Sequence, residues 1–192
     1  TLFVEDAIQE TKVSAGNVSA EYGRFQGGVV NMIAKSGGNA FSGSFRTTFT
    51  NDAWRALTPY PGDQNLDQVV PGYELTFGGP ILRDKIWFFS AGRFQRSSTN
   101  ATAPYTGFNY TKVVNDKRGE GKLTYAINKS NTLKASYLGK TVSTTNNSFS
   151  TIMDNASLYN DRTVESLLAA NYQSVLTSNV FIEAQYSTRT MD

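Results

Sequence analysis

The chain has 192 residues, 18 basic and 16 acidic, for a net charge of +2, with no Cys and no His. Such balance argues against a nucleic-acid surface, and the missing Cys and His remove disulfides, thiolate catalysis, the commonest metal ligand and the commonest general base, so an enzyme would need carboxylate, Lys, Tyr or Ser chemistry alone; neither an enzyme nor a bound cofactor is expected. The mean hydropathy of −0.37, with no apolar run near ~18 residues, excludes a transmembrane helix but leaves open a transmembrane barrel, whose lumen side stays polar.

Near the start, Ile8-Gln9-Glu10-Thr11-Lys12-Val13 reads as a short strand, and a Gly-punctuated stretch from Ala20 to Asn39 follows. Gly27 and Gly28 suit a place where backbones approach closely, and Val29, Val30, Met32 and Ile33 are expected to form a small buried strand. The stretch is no phosphate loop, because Gly23-x-x-x-Gly27-Gly28 lacks both the Lys-Ser/Thr that would follow and the G-x-G-x-x-G spacing.

From residue 41 the pattern becomes strict alternation. Phe41, Gly43, Phe45, Thr47 and Phe49 share one face, and Ser42, Ser44, Arg46, Thr48 and Thr50 the other, so a strand lies between two different environments. Tyr73, Leu75 and Phe77 then oppose Glu74 and Thr76. Ile86, Phe88, Ser90, Gly92 and Phe94 oppose Trp87, Phe89, Ala91, Arg93 and Gln95, and the apolar start on both faces fits an aromatic girdle at a membrane interface. Gly119, Gly121, Leu123, Tyr125 and Ile127 oppose Arg118, Glu120, Lys122, Thr124 and Ala126, the cleanest two-faced strand in the chain. Leu133, Ala135 and Tyr137 oppose Lys134, Ser136 and Leu138. Val164, Leu168, Ala170 and Tyr172 oppose Glu165, Asn171 and Gln173, and Val180, Ile182, Ala184 and Tyr186 oppose Glu183, Gln185, Ser187 and Arg189. Seven strands result, each near the ~9–11 residues that cross a bilayer when tilted.

Short breaks at Arg83-Asp84-Lys85, Asn128 to Asn131 and Thr177 to Asn179 alternate with long polar stretches at 51–72, 97–112 and 141–159. Short periplasmic turns and long outer loops are the arrangement of an outer-membrane barrel wall. A soluble antiparallel sandwich alternates too, but its core faces would be rich in Leu, Ile and Val, whereas Gly, Ala, Phe and Tyr share these faces. The fold class expected is all-β: a partial transmembrane antiparallel β-barrel of about seven strands. The chain opens on Thr1 and stops on Asp192 in mid-pattern, as a segment of a longer protein would, and further strands are expected after residue 192 because single-chain barrels have even strand numbers.

The run Ala20-Glu21-Tyr22-Gly23-Arg24-Phe25-Gln26-Gly27-Gly28-Val29-Val30-Asn31-Met32-Ile33-Ala34-Lys35-Ser36-Gly37-Gly38-Asn39 resembles the end of the plug domain of TonB-dependent outer-membrane receptors. The run from Phe77 to Phe89, Phe-Gly-Gly-Pro-Ile-Leu-Arg-Asp-Lys-Ile-Trp-Phe-Phe, resembles the second-to-third strand hairpin of their Oar-like branch, whose members often carry a carboxypeptidase-regulatory-like domain before the plug. The resemblance implies that residues 1–38 are the C-terminal part of a plug and 39–192 the first barrel strands, with Tyr22, Gly23, Arg24, Gly27 and Gly28 in the plug and Gly37-Gly38 as the hinge into the barrel. It implies a receptor in the outer membrane of a Gram-negative bacterium, surrounded by lipid, working with the TonB complex and importing a scarce, bulky nutrient such as a siderophore, glycan or peptide. A passive porin-like or structural, adhesive barrel is the alternative.

In the first long polar stretch, Trp54 and Arg55 could contact such a ligand, although an interface anchor explains Trp54 as well. Asp63, Asn65, Asp67 and Glu74 stand at positions 1, 3, 5 and 12 of a calcium-loop template, but Gln68 replaces its Gly and Pro71 interrupts it. A polar outer loop is the favoured reading there. The charges Arg46, Arg93, Arg118, Glu120, Lys122, Glu165, Glu183 and Arg189 are expected to form a hydrated, salt-bridged lumen wall rather than a catalytic site.

Overall fold

The computed structural model describes residues 2–14, 28–56, 67–103, 105–148 and 154–192. Within them the chain is all-β. A 3-10 turn, Glu5–Ala7, leads into β1 (Ile8–Ser14), which pairs antiparallel with β2 (Val29–Ala34) as a two-stranded ribbon. A second sheet holds β3 (Ser42–Asn51), β4 (Val69–Leu82), β5 (Ile86–Thr102), β6 (Asn109–Asn128), β7 (Asn131–Asn147), β8 (Tyr159–Thr177) and β9 (Val180–Met191). The strands lie in chain order and every pair is antiparallel, so the sheet is an up-and-down meander with no crossover.

The seven expected strands are present, and the short turns fall where the breaks in alternation put them. At the first of them Asp84 takes a positive φ of 62° and Lys85 N–H donates to Leu82 O at 3.1 Å. Three register shifts, at Pro80/Leu82, Ala126/Asn128 and Val175/Thr177, sit beside the three short turns. Bulges of this kind increase strand twist and gather at barrel rims.

The long polar stretches differ from expectation. Most of 97–112 and the first part of 141–159 are strand: β5 runs to Thr102 and β6 begins at Asn109, while β7 runs to Asn147 and β8 begins at Tyr159. β6 alone has 20 residues, about twice the ~9–11 that a bilayer crossing requires. Where both faces of a ladder meet water, no hydrophobic alternation marks it, and Ser, Thr and Asn complete the hydrogen bonding as well as any residue.

The sheet is polar on one face and apolar on the other, but the apolar face is the bare one. Phe45, Leu75, Phe77, Leu123, Ile127, Tyr137, Leu168, Ile182 and Tyr186 are all exposed, with Phe45 at 68% and Tyr186 at 64%. No second sheet covers this outer face among the described residues. The buried set is small and lies on the other side: Val4, Ala7, Phe89 and Ala91 form one cluster, and Glu74, Thr76 and Glu120 are buried beside it. A soluble sandwich would bury the face that is bare here, since an apolar area of this extent in water marks a surface made for another medium.

Two expectations on local packing are corrected. Of the aromatic run at the start of β5, only Phe88 faces outward, its ring 5.6 Å from that of Phe77. Phe89 is buried beneath the N-terminal segment, and Trp87 gives its indole N–H to Asn39 at 2.7 Å, so these two are contacts of the segment before β3 and not parts of a girdle. The expected buried strand is β2, but Val30 is 54% exposed and Ile33 46%. A two-stranded ribbon that meets the large sheet near its base leaves its far side uncovered by any described residue.

Candidate functional site

The inner face of β3–β6 receives the N-terminal segment through charge and backbone polarity. Register sets Arg46 opposite Glu74, Glu74 opposite Arg93 and Arg93 opposite Arg118, a line across four strands that places two guanidinium groups on either side of one carboxylate and a third next along the row. Glu74, 5% exposed, accepts from Arg46 Nη2 at 2.5 Å and lies 3.5 Å from Arg93 Nε. A buried carboxylate is tolerated only with such partners.

The 3-10 turn Glu5–Ala7 docks on that line. Glu5 reaches Arg93 at 3.0 Å and Arg46 at 3.5 Å. Asp6 donates its backbone N–H to Glu74 Oε2 at 3.3 Å and accepts from the Ser44 hydroxyl, which also sits 2.6 Å from Thr76 Oγ1. Arg118 donates to the Phe3 carbonyl at 3.1 Å, while its other side is held by Asp116 at 2.6 Å. Val4 and Ala7 fill the gap above Phe89 and Ala91. The segment is thus held by ion pairs around a four-residue apolar contact.

A second attachment holds the stretch between β2 and β3. Lys35 N–H donates to Ala7 O at 2.8 Å and Lys122 Nζ to Ala34 O at 3.2 Å. Gly37 runs against the sheet where Gly79 and Phe88 pair, so close that a Cβ there would come within 3.0 Å of the Phe88 carbonyl; Gly38 meets nothing within 4 Å. Asn39 then clamps the first short turn, accepting from Asp84 N–H at 3.0 Å and from Trp87 Nε1 at 2.7 Å while donating to Asp84 Oδ1 at 2.6 Å.

Farther along the inner wall, Arg189 pairs with Glu165, and Glu183 accepts from Asn171 at 2.6 Å and Gln173 at 3.3 Å. These are the salt-bridged and hydrogen-bonded contacts expected of the wall. Glu120 Oε2 and Asn171 Oδ1 are exceptions, buried with no hydrogen-bond partner among the described residues.

At the far end of β3–β5 a polar hollow of about 500 Å³ is lined by Thr50, Asn51, Arg55, Gln68, Ser97 and Thr99 among others. Arg55 therefore sits in a cavity, while Trp54 stands 65% exposed outside it. Of the calcium-template residues, Asp67 accepts from Asn51 Nδ2 at 2.7 Å and Glu74 is engaged by Arg46 and Arg93; Asp63 and Asn65 lie outside the described residues. So do Tyr22, Gly23, Arg24 and Gly27, whereas Gly28 is described and exposed just before β2.

A short N-terminal unit is thus clamped to the polar face of an open antiparallel meander whose other face is bare and apolar, an arrangement consistent with part of a β-barrel wall. The chain is similar to a TonB-dependent transporter. That relative, the TonB-dependent transporter Oar of Myxococcus xanthus, is 29% identical, with 71% of this chain and 16% of the relative covered. This chain therefore spans about a sixth of the relative's length. No family model and no solved structure matches.

Sequence reasoning missed Phe3, Glu5, Asp6 and Asn39. A signal existed for the two acids, because the wall opposite is rich in arginine. Asn39 gave none, since its role depends on a turn 45 residues away in the chain.

Proposed function

We propose that the chain is part of an outer-membrane receptor that imports a scarce, bulky nutrient by TonB-driven opening of a plugged barrel. In this reading residues 1–38 are the end of the plug, with Tyr22, Gly23, Arg24, Gly27 and Gly28 in it and Gly37-Gly38 at its hinge, and residues 39–192 are the first seven wall strands. The observation that carries it is the docking of Glu5 and Asp6 on Arg46, Glu74 and Arg93. Polar contacts hold a segment firmly at rest, yet water entering the lumen can replace them at modest cost, which suits a plug that must move. Similarity to a protein named as a TonB-dependent transporter supports the same role. A passive porin-like barrel would gain nothing from a segment clamped across its inner wall. Arg55, in its hollow beside the long connections, is the residue best placed to meet arriving ligand.

The test is a deletion strain complemented with the full-length gene, or with a variant carrying Asp6→Cys and Ser44→Cys, and grown on iron chelates, cobalamin-type compounds, glycans and peptides as scarce sources. The reading expects a deficit on at least one source that is shared by a strain lacking TonB, rescued by the wild type, and rescued by the double-cysteine variant only under reducing conditions. Growth rescue by the cross-linked form would show that the segment need not move. Rescue by the wild type in cells without TonB would overturn energised import.

A further inference from the structure

Beside the docked N-terminal segment, the inner face of β6 carries a carboxylate in an apolar setting. Glu120 is buried as deeply as Glu74, but its Oε2 has no hydrogen-bond partner among the described residues. Its neighbours across the ladder are Ala91 on β5 and Leu138 on β7, both buried and neither with a side-chain donor. Val4 and Ala7 of the segment pack with Phe89 and that same Ala91. Glu74 meets two guanidinium groups at similar burial, whereas a carboxylate buried without a donor is costly to keep.

The cations on this part of the wall are committed elsewhere. Arg118, two residues before Glu120, is held by Asp116 and the Phe3 carbonyl. Arg93 on β5 is taken by Glu5 and Glu74. Lys140 on β7 stands opposite Arg118 on one side and Glu165 on the other, one row away from Glu120. Lys122 lies two residues beyond Glu120 on the same strand and face, at roughly 7 Å along the backbone, and it is the cation whose charge acts on Glu120. Yet its Nζ donates to the Ala34 carbonyl at 3.2 Å, at the end of β2. A neutral carbonyl of the segment thus holds the ammonium that the stranded carboxylate lacks.

We infer that Lys122 changes partner with the position of the segment, holding the Ala34 carbonyl while the segment is docked and turning to Glu120 when it lifts. Once Ala34 leaves, Lys122 loses its acceptor, and its flexible four-carbon stem brings the ammonium to the carboxylate on the same face. Docking therefore forgoes an ion pair on the wall and strands one carboxylate, and both penalties are relieved on release. The contacts of Glu5 and Asp6 hold the segment against that bias. The wall is thus built to let go as well as to hold, which suits an element that must lift and return. The inference rests on the reading of residues 1–38 as a plug end that moves.

Amide hydrogen exchange across residues 3–7 of the full-length protein, folded into lipid vesicles, reads how often the segment lifts. Glu120→Gln removes both the stranded charge and the pair formed on release, so exchange there should slow about tenfold. In a Lys122→Met background, where no pair can form, the same substitution should slow it only about threefold. Faster or unchanged exchange in Glu120→Gln, or equal slowing in both backgrounds, would overturn the switch. Carbodiimide coupling, which joins an amine to a carboxylate in contact with it, reads the partner directly in full-length protein carrying Asp6→Cys and Ser44→Cys. The amide between Glu120 and Lys122 should form with the disulfide reduced and not with it closed. Coupling in both states would show that Lys122 reaches Glu120 with the segment in place, and coupling in neither, while residues 3–7 of the reduced protein exchange freely, would also overturn the inference. If those residues exchange no faster than β5 and β6 even when reduced, the segment does not lift, and the plug reading itself fails.

Discussion

Gly37 passes so close to Phe88 that a side chain on it would come within 3.0 Å of the Phe88 carbonyl oxygen, with the Gly79 carbonyl also near. The obstacle is backbone within a paired ladder, which cannot swing aside as a side chain does. In full-length protein refolded into lipid vesicles, Gly37→Ala should therefore cost about 1–3 kcal/mol in a urea titration. Gly38→Ala, with open space around it, should change stability by less than about 0.5 kcal/mol. Equal effects at the two glycines would remove the close approach as the cause.

The two faces of β6 and β7 should respond oppositely to the same charge. Leu123 and Ala135 lie on the outer face and pair across the strands, as Thr124 and Lys134 do on the inner face. Leu123→Arg or Ala135→Arg should cost about 2–4 kcal/mol near the bilayer midplane, and Thr124→Arg or Ser136→Arg little. The same refolding titration checks this, and indistinguishable costs on both faces would reject lipid as the medium of the outer one.

Glu74→Gln keeps the shape of the side chain but leaves Arg46 and Arg93 without their shared carboxylate. Because Glu74 is buried and also accepts from Asp6 N–H, the loss should be about 1–3 kcal/mol. Much of it should appear as faster amide hydrogen exchange across residues 3–7. Lys140→Gln, on the same face but without contact to that segment, should leave exchange there unchanged. Unaltered exchange in Glu74→Gln would mean that the segment is held chiefly by Val4 and Ala7.

Asn39→Ala removes three hydrogen bonds at once, to Asp84 N–H, Asp84 Oδ1 and Trp87 Nε1. The groups left behind are exposed, so water takes over and the cost should be only about 1–2 kcal/mol. Asn39→Asp keeps both acceptor contacts but sets a second carboxylate beside Asp84, and should fall between the two. Near-wild-type stability of the alanine variant would show that the turn holds itself, through Asp84 at its positive φ and the Lys85 to Leu82 hydrogen bond.

By itself the sequence determined the strand count, the short turns and the face on which each strand residue lies. Those are local properties: alternation of Leu123 with Thr124 is written into neighbouring residues, and a turn such as Arg83-Asp84-Lys85 declares itself within three. Strand lengths were not legible, because residues such as Ser97, Thr99 and Ser143 carry no alternation once both faces meet water, and the ladder that holds them depends only on backbone groups every residue has. Tertiary structure alone decided that Phe89 and Trp87 turn toward the N-terminal segment and the linker rather than a membrane interface. It alone joined Glu5 to Arg93 across 88 residues and brought the Ala34 carbonyl to Lys122. Such partners are chosen by register and by the path of the chain over the sheet, and neither quantity is local to the residues that it brings together.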